Sequence, residues 1–191
     1  MRQCLILMIG SLMMAGASLQ AKDWVVYEGK EGPGKGKHIV FVTGDEEYRS
    51  EEGMPMLAKI LAVRHGFRCT VLFSLNPTDG TIDPNNQTNI VGLQNLRGAD
   101  MMVLFTRFRE PSDEQMKGIA DFLQAGKPLL GIRTATHAFS FDRNKNGAYA
   151  NMIGAVKSGQ AVSVSKFWAR PGSVIMAFTA RRAREELLAR L

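Results

Sequence analysis

What most constrains this chain is its alternation of short apolar runs with segments of helical spacing. Met101 to Thr106 is an unbroken apolar run, of the kind a parallel sheet buries on both faces. His38 to Thr43 and Arg68 to Leu75 read as two earlier strands, and Pro128 to Arg133 as a fourth. Between them, Glu51 to His65 carries Met54, Leu57, Ile60 and Leu61 at helical spacing. Pro55 is tolerable in its first turn and Gly66 is a stop. Ser112-Asp-Glu-Gln115 reads as a capping box, opening a helix through Met116, Ile119, Ala120 and Leu123 that stops at Gly126. This order predicts an α/β fold: a parallel sheet with helices on both faces.

With 191 residues, 45% of them hydrophobic, the chain can bury one good core. Its first 21 residues read as a signal peptide. Arg2 is a positive start, Cys4 to Met14 an apolar run, and Ala15-Gly16-Ala17 or Leu19-Gln20-Ala21 a small-residue cleavage site. The run is too short for a stable membrane anchor, so a periplasmic or secreted protein is expected. Cleavage would remove Cys4 and leave Cys69, which reads as a core thiol. Residues 22–37, rich in Gly and Lys after Tyr27, read as a linker, and 38–151 as the α/β domain.

The net charge of +6 does not indicate nucleic acid. From Met152 onward seven Lys/Arg stand against Glu185 and Glu186, so five of the six charges lie in the last forty residues. The body is close to neutral. There is no Walker loop and no G-x-G-x-x-G, and Gly32 to Gly36 precedes a strand instead of following one. Met54, Met56, Met101 and Met102 read as packing residues.

Chemistry-bearing residues fall where strands end. Lys127 to His137 reads as a buried strand entering a tight turn with the outline of a nucleophile elbow, yet Arg133 stands where a Cys or Ser would be. Arginine stays protonated and has no lone pair for acyl transfer. Asp45, Glu46, Tyr48 and Arg49 follow the first strand, so they share that sheet edge with Arg133, Thr134 and His137. They read either as a sugar-binding lip or, for Glu46 to Glu52, as acids suited to a helix N-terminus. Arg107 and Arg109 leave the third strand at the same edge. They read either as cleft-facing donors or as partners of Glu110 or Asp113. His137 reads as a general base, a metal ligand or a capping donor. His38 and His65 fall at the far ends of their elements, so no histidine cluster and no metal site is expected.

Three segments, HIVFVTGDEEYRSEE at 38–52, FTRFREPSDEQ at 105–115 and GKPLLGIRTATHAF at 126–139, resemble the ThuA-like (trehalose-utilisation) family. That family lies within the class I glutamine amidotransferase-like superfamily, and the segments are most similar to its exported bacterial subgroup. The resemblance covers about a hundred residues and implies a flavodoxin-like sheet and a role in carbohydrate utilisation. The amidotransferases' G-x-C-x-G-x-Q is replaced by Gly131 to His137, so amidotransfer is not expected. Under this resemblance His137 would be the acid/base group and Arg133, with Arg107 or Arg109, the anion stabiliser. Asp45, Glu46, Tyr48, Arg49 and Thr134 would hold the sugar. The expected partner is a small carbohydrate, with no cofactor named and homo-oligomerisation left open. The alternatives are a non-catalytic saccharide-binding module and a truncated, inactive product.

The resemblance stops near Asn151. One choice of codons from Asn151 onward, read one base earlier than Met152, gives His-Asp-Trp-Arg-Gly-Gln-Lys-Trp-Pro-Gly-Gly-Phe-Gly, which resembles the subgroup's own continuation. Residues 152–191 are therefore read as an atypical basic tail, either frameshifted or genuinely divergent, and the sheet as incomplete at its C-terminal side.

Overall fold

The computed structural model describes residues 23–150; the signal peptide read at 1–21 and the tail read at 152–191 lie outside them. Five strands form one sheet: β1 (Trp24–Glu28), β2 (His38–Gly44), β3 (Arg68–Leu72), β4 (Met101–Thr106) and β5 (Leu129–Gly131). Their order is β1-β3-β2-β4-β5. β2, β3, β4 and β5 run parallel, whereas β1 pairs antiparallel with β3. Helix α1 (Ser50–His65) links β2 to β3, and α2 (Asp113–Gln124) links β4 to β5. The chain is thus an α/β protein with a mostly parallel, flavodoxin-like sheet. From β2 the chain steps outward to β3 and then back across β2 to β4. Strand order reverses there, and open α/β sheets bind ligands in the crevice outside the strand ends at such a reversal.

The apolar runs bury both faces of the sheet, as parallel strands must. On one face Met54, Ala58 and Ala62 of α1 pack over Ile39, Phe41, Val71, Val103 and Phe105. On the other, Met116, Ile119 and Phe122 of α2 pack with Leu93 and Leu96 over Val40, Val42, Met102 and Leu104. Each fully buried Val, Leu, Ile, Phe or Met among them contributes roughly 1.5–3 kcal/mol by leaving water, and the alanines less. Gly66 caps α1 in the left-handed region at φ 79°, which a glycine adopts without a Cβ penalty.

Four expectations are corrected. The segment read as a linker contains β1, whose register runs from Trp24 opposite Leu72 to Glu28 opposite Arg68; the apolar and β-branched run WVVYE covers the edge of β3 before the Gly/Lys-rich turn begins. Ile60 and Met56 are not core residues: they are 52% and 67% exposed, because the stripe facing the sheet runs through Met54, Ala58 and Ala62. The capping box is half formed. Ser112 Oγ accepts from the Gln115 amide at 3.3 Å, but the Gln115 side chain donates to Asn89 Oδ1 at 3.1 Å instead of reaching back. The strand ending at Arg133 stops at Gly131, and Arg133–His137 is a 3-10 turn.

Candidate functional site at the mouth of the sheet

The C-terminal ends of β2, β4 and β5 lead into three loops, and each contains a non-glycine residue in the left-handed region: Arg49 at φ 50°, Phe108 at φ 49° and Arg133 at φ 48°. That conformation costs an L-residue about 1–2 kcal/mol, and such strain collects at functional sites when the surroundings enforce it.

The first loop is held from within. Ser50 Oγ accepts from the Gly44 amide at 3.0 Å and the Asp45 amide at 2.8 Å. Asp45 is fully buried, and its Oδ1 accepts from the Glu47 and Tyr48 amides, each at 3.0 Å. Its other oxygen accepts the Thr134 hydroxyl of the third loop. Asp45 and Thr134, both read as sugar binders, therefore tie two loops together, their side chains engaged by amides and a hydroxyl within the turns.

The arginines at this edge are also reassigned. Arg109 is fully buried. It donates to the carbonyls of Gly44, Asn86 (2.6 Å) and Pro84 (2.8 Å) and to Glu46 Oε2. Burial lowers its pKa, against the opposing charges of Glu46 and Asp45. Arg107 donates to Glu46 Oε1 at 2.6 Å and reaches Glu47 at 3.1 Å. Neither pairs with Glu110 or Asp113. Glu110 instead accepts the Arg143 and Asn144 amides at 2.7 and 2.6 Å. The left-handed turn at Phe108 breaks the two-residue alternation, so Arg109 points inward while Arg107 stays at the rim. Glu46 is thus a bridge between two arginines, and Arg49 pairs with Glu52 on its own helix.

What remains open to solvent is a smaller set. Arg133 is exposed, and its guanidinium carbon lies 3.4 Å from the centre of the Tyr48 ring. His137 packs its ring 4.9 Å from that of Phe108, with Nδ1 3.2 Å from Thr136 Oγ1. Burial, and then the Arg107 charge, holds the imidazole below its ordinary pKa, so it is neutral near pH 7. No described residue bonds its Nε2. Tyr48 and Phe108 are 36% and 38% exposed. Two aromatic rings, Tyr48 under Arg133 and Phe108 beside His137 and the Arg107 guanidinium at 4.9 Å, therefore line the mouth with a cation and an imidazole, above the buried Asp45–Thr134 bond.

Compared with known protein families, characterised proteins and solved structures, the chain matches none.

Sequence reasoning missed Ser50, whose hydroxyl shapes the first loop, and Phe108, the second aromatic face. An aromatic residue between two arginines leaving an apolar strand was the available signal for Phe108. Thr106, opposite Gly44 in the β2–β4 register, is fully buried and its Oγ1 has no partner among the described residues. His38 lies at the far end of β2, 2.9 Å from Thr70 Oγ1. Among the described residues no three His, Cys, Asp or Glu side chains converge on a metal position, and no helix is long and apolar enough to cross a membrane. A groove of about 820 Å³ lies elsewhere, between the 3-10 turn Leu93–Gly98 and α2. None of the expected site residues lines it.

Proposed function

We propose that this chain is an exported, ThuA-like carbohydrate-handling domain whose sheet mouth binds a saccharide, and that amidotransfer is not its reaction. The observation that carries the reading is the elbow: its nucleophile position is held in the left-handed region but bears Arg133, laid over Tyr48. A guanidinium cannot form an acyl intermediate, whereas polar donors beside aromatic faces suit a hydroxyl-rich ligand. The three segments at 38–52, 105–115 and 126–139 support the same family, and their resemblance supplies the carbohydrate class. Titration calorimetry with glucose and trehalose tests it. Binding that weakens at least tenfold in Tyr48→Ala and Phe108→Ala supports the reading, and no heat with either sugar contradicts it.

A specific observation favours the non-catalytic form of this reading. Asp45 and Arg109, both expected to serve a substrate, are bound internally, and the exposed Glu47 is paired with Arg107 at 3.1 Å, so no two unpaired carboxyl groups face each other among the described mouth residues. Bond cleavage in sugars ordinarily uses two carboxyl groups in separate roles. Binding without turnover is the result expected of this chain.

A further inference from the structure

We infer that the saccharide bound at the mouth is an acid sugar whose carboxylate is gripped by Arg133; the inference rests on the saccharide reading of this site. Four arginines gather at this edge, and three of them are neutralised within the protein: Arg49 by Glu52, Arg107 by Glu46 and Glu47, and Arg109 by Glu46. Arg133 has no carboxylate partner and no hydrogen-bond acceptor among the described residues. It is nevertheless not a loose surface side chain. Its backbone is held at φ 48°, and its guanidinium carbon lies 3.4 Å from the Tyr48 ring centre. Stacking covers one face of the group and fixes its direction. The N–H donors lie in the guanidinium plane, so they remain free to form a fork on a planar carboxylate.

The surrounding charge selects the kind of anion. Asp45, Glu46, Glu47, Glu51 and Glu52 set five carboxylates around the four guanidiniums. A phosphate dianion would enter this slightly acidic mouth against repulsion. A sugar carboxylate brings a single, delocalised charge and matches the geometry of one fork. His137, its Nε2 unbonded by any described residue, stands at the same mouth beside the Phe108 ring, which the Arg107 guanidinium also covers at 4.9 Å, and is placed to meet a sugar hydroxyl while Arg133 holds the acid group.

The test is an affinity panel on the full chain with D-glucuronate, D-glucose and D-glucose 6-phosphate, repeated in Arg133→Gln and Arg133→Lys. Folding of each variant is checked by its thermal melt. Glucuronate is expected to bind about tenfold or more tighter than glucose, the scale of one charge-assisted bond. The ratio should fall toward one in Arg133→Gln and stay intermediate in Arg133→Lys, which keeps the charge but loses the fork. Equal affinities for glucuronate and glucose overturn the carboxylate grip while leaving the saccharide reading intact. Tighter binding of glucose 6-phosphate overturns the choice of anion. No binding of any of the three overturns both readings.

Discussion

Replacing Arg109 by methionine removes the guanidinium and keeps most of the side-chain volume, so the expected loss is polar. Four acceptors meet this group: the Gly44, Asn86 and Pro84 carbonyls and Glu46 Oε2. They do not lose equally. The Gly44 carbonyl still accepts the Arg107 amide at 2.9 Å. Glu46 retains Arg107 at 2.6 Å, with its side chain 26% exposed, so its loss is that of a partly solvated pair, about 1 kcal/mol. The Asn86 and Pro84 carbonyls lose their bonds to Arg109, at about 1 kcal/mol each. The total is about 3 kcal/mol, or a fall of roughly 10 °C in Tm. Because two acceptors belong to the loop between β3 and β4, amide exchange at residues 76–89 should accelerate more than in β2 or β4. Arg109→Lys should lose about half as much, since it keeps the charge but not the fork. A melt within 2–3 °C of the parent, with unchanged loop exchange, would refute the clamp. Loss of saccharide binding with stability intact would return Arg109 to the substrate-facing role that its sequence position implied.

Other predictions concern neighbouring groups. Thr134→Val leaves one oxygen of the buried Asp45 without its hydroxyl donor and should destabilise the chain by about 1–3 kcal/mol, read by denaturant unfolding; an unchanged midpoint contradicts the inter-loop bond. His137 and His38 are both held below the ordinary imidazole pKa, chiefly by burial. The unfolded chain then binds more protons, so stability from these groups is full above the ordinary imidazole range and is lost as pH falls through their folded values. Proton NMR should give two titration midpoints below the ordinary value, and a midpoint at or above it for His137 refutes the account. Cys69 is fully buried and its thiol is pushed up to about 11 by burial. It should resist a thiol reagent until denaturant is added, and prompt labelling of the folded chain would contradict its place in the core.

The sheet was legible where one physical signal dominated. Met101 to Thr106 reads as a buried strand and is β4, because no helix or turn competes for an unbroken apolar run with a β-branched centre. Helix α1 was legible to within one residue, since Gly66 stops it. β1 was not, because a five-residue edge strand beside a Gly/Lys-rich turn is defined by the partner it covers rather than by its own pattern. At the candidate site, the sequence placed Asp45, Tyr48, Arg107, Arg109, Arg133 and His137 on one edge but could not apportion them. Arg107 and Arg109 look equivalent two residues apart, and the left-handed Phe108 separates them. Asp45 and Tyr48 look equivalent within one polar turn, yet one is buried under four partners and the other is open. Which polar groups a turn consumes internally depends on three-dimensional partners such as Ser50 and Thr134, which no spacing rule reveals.

The most direct test of the central claim is a nitrogen–proton NMR titration of the chain with a saccharide, following which amides move. The account predicts saturable shifts concentrated at Tyr48, Phe108, Arg133 and His137, with the groove between α2 and the Leu93–Gly98 turn unmoved. Shifts confined to that groove, or none at millimolar sugar, would contradict it.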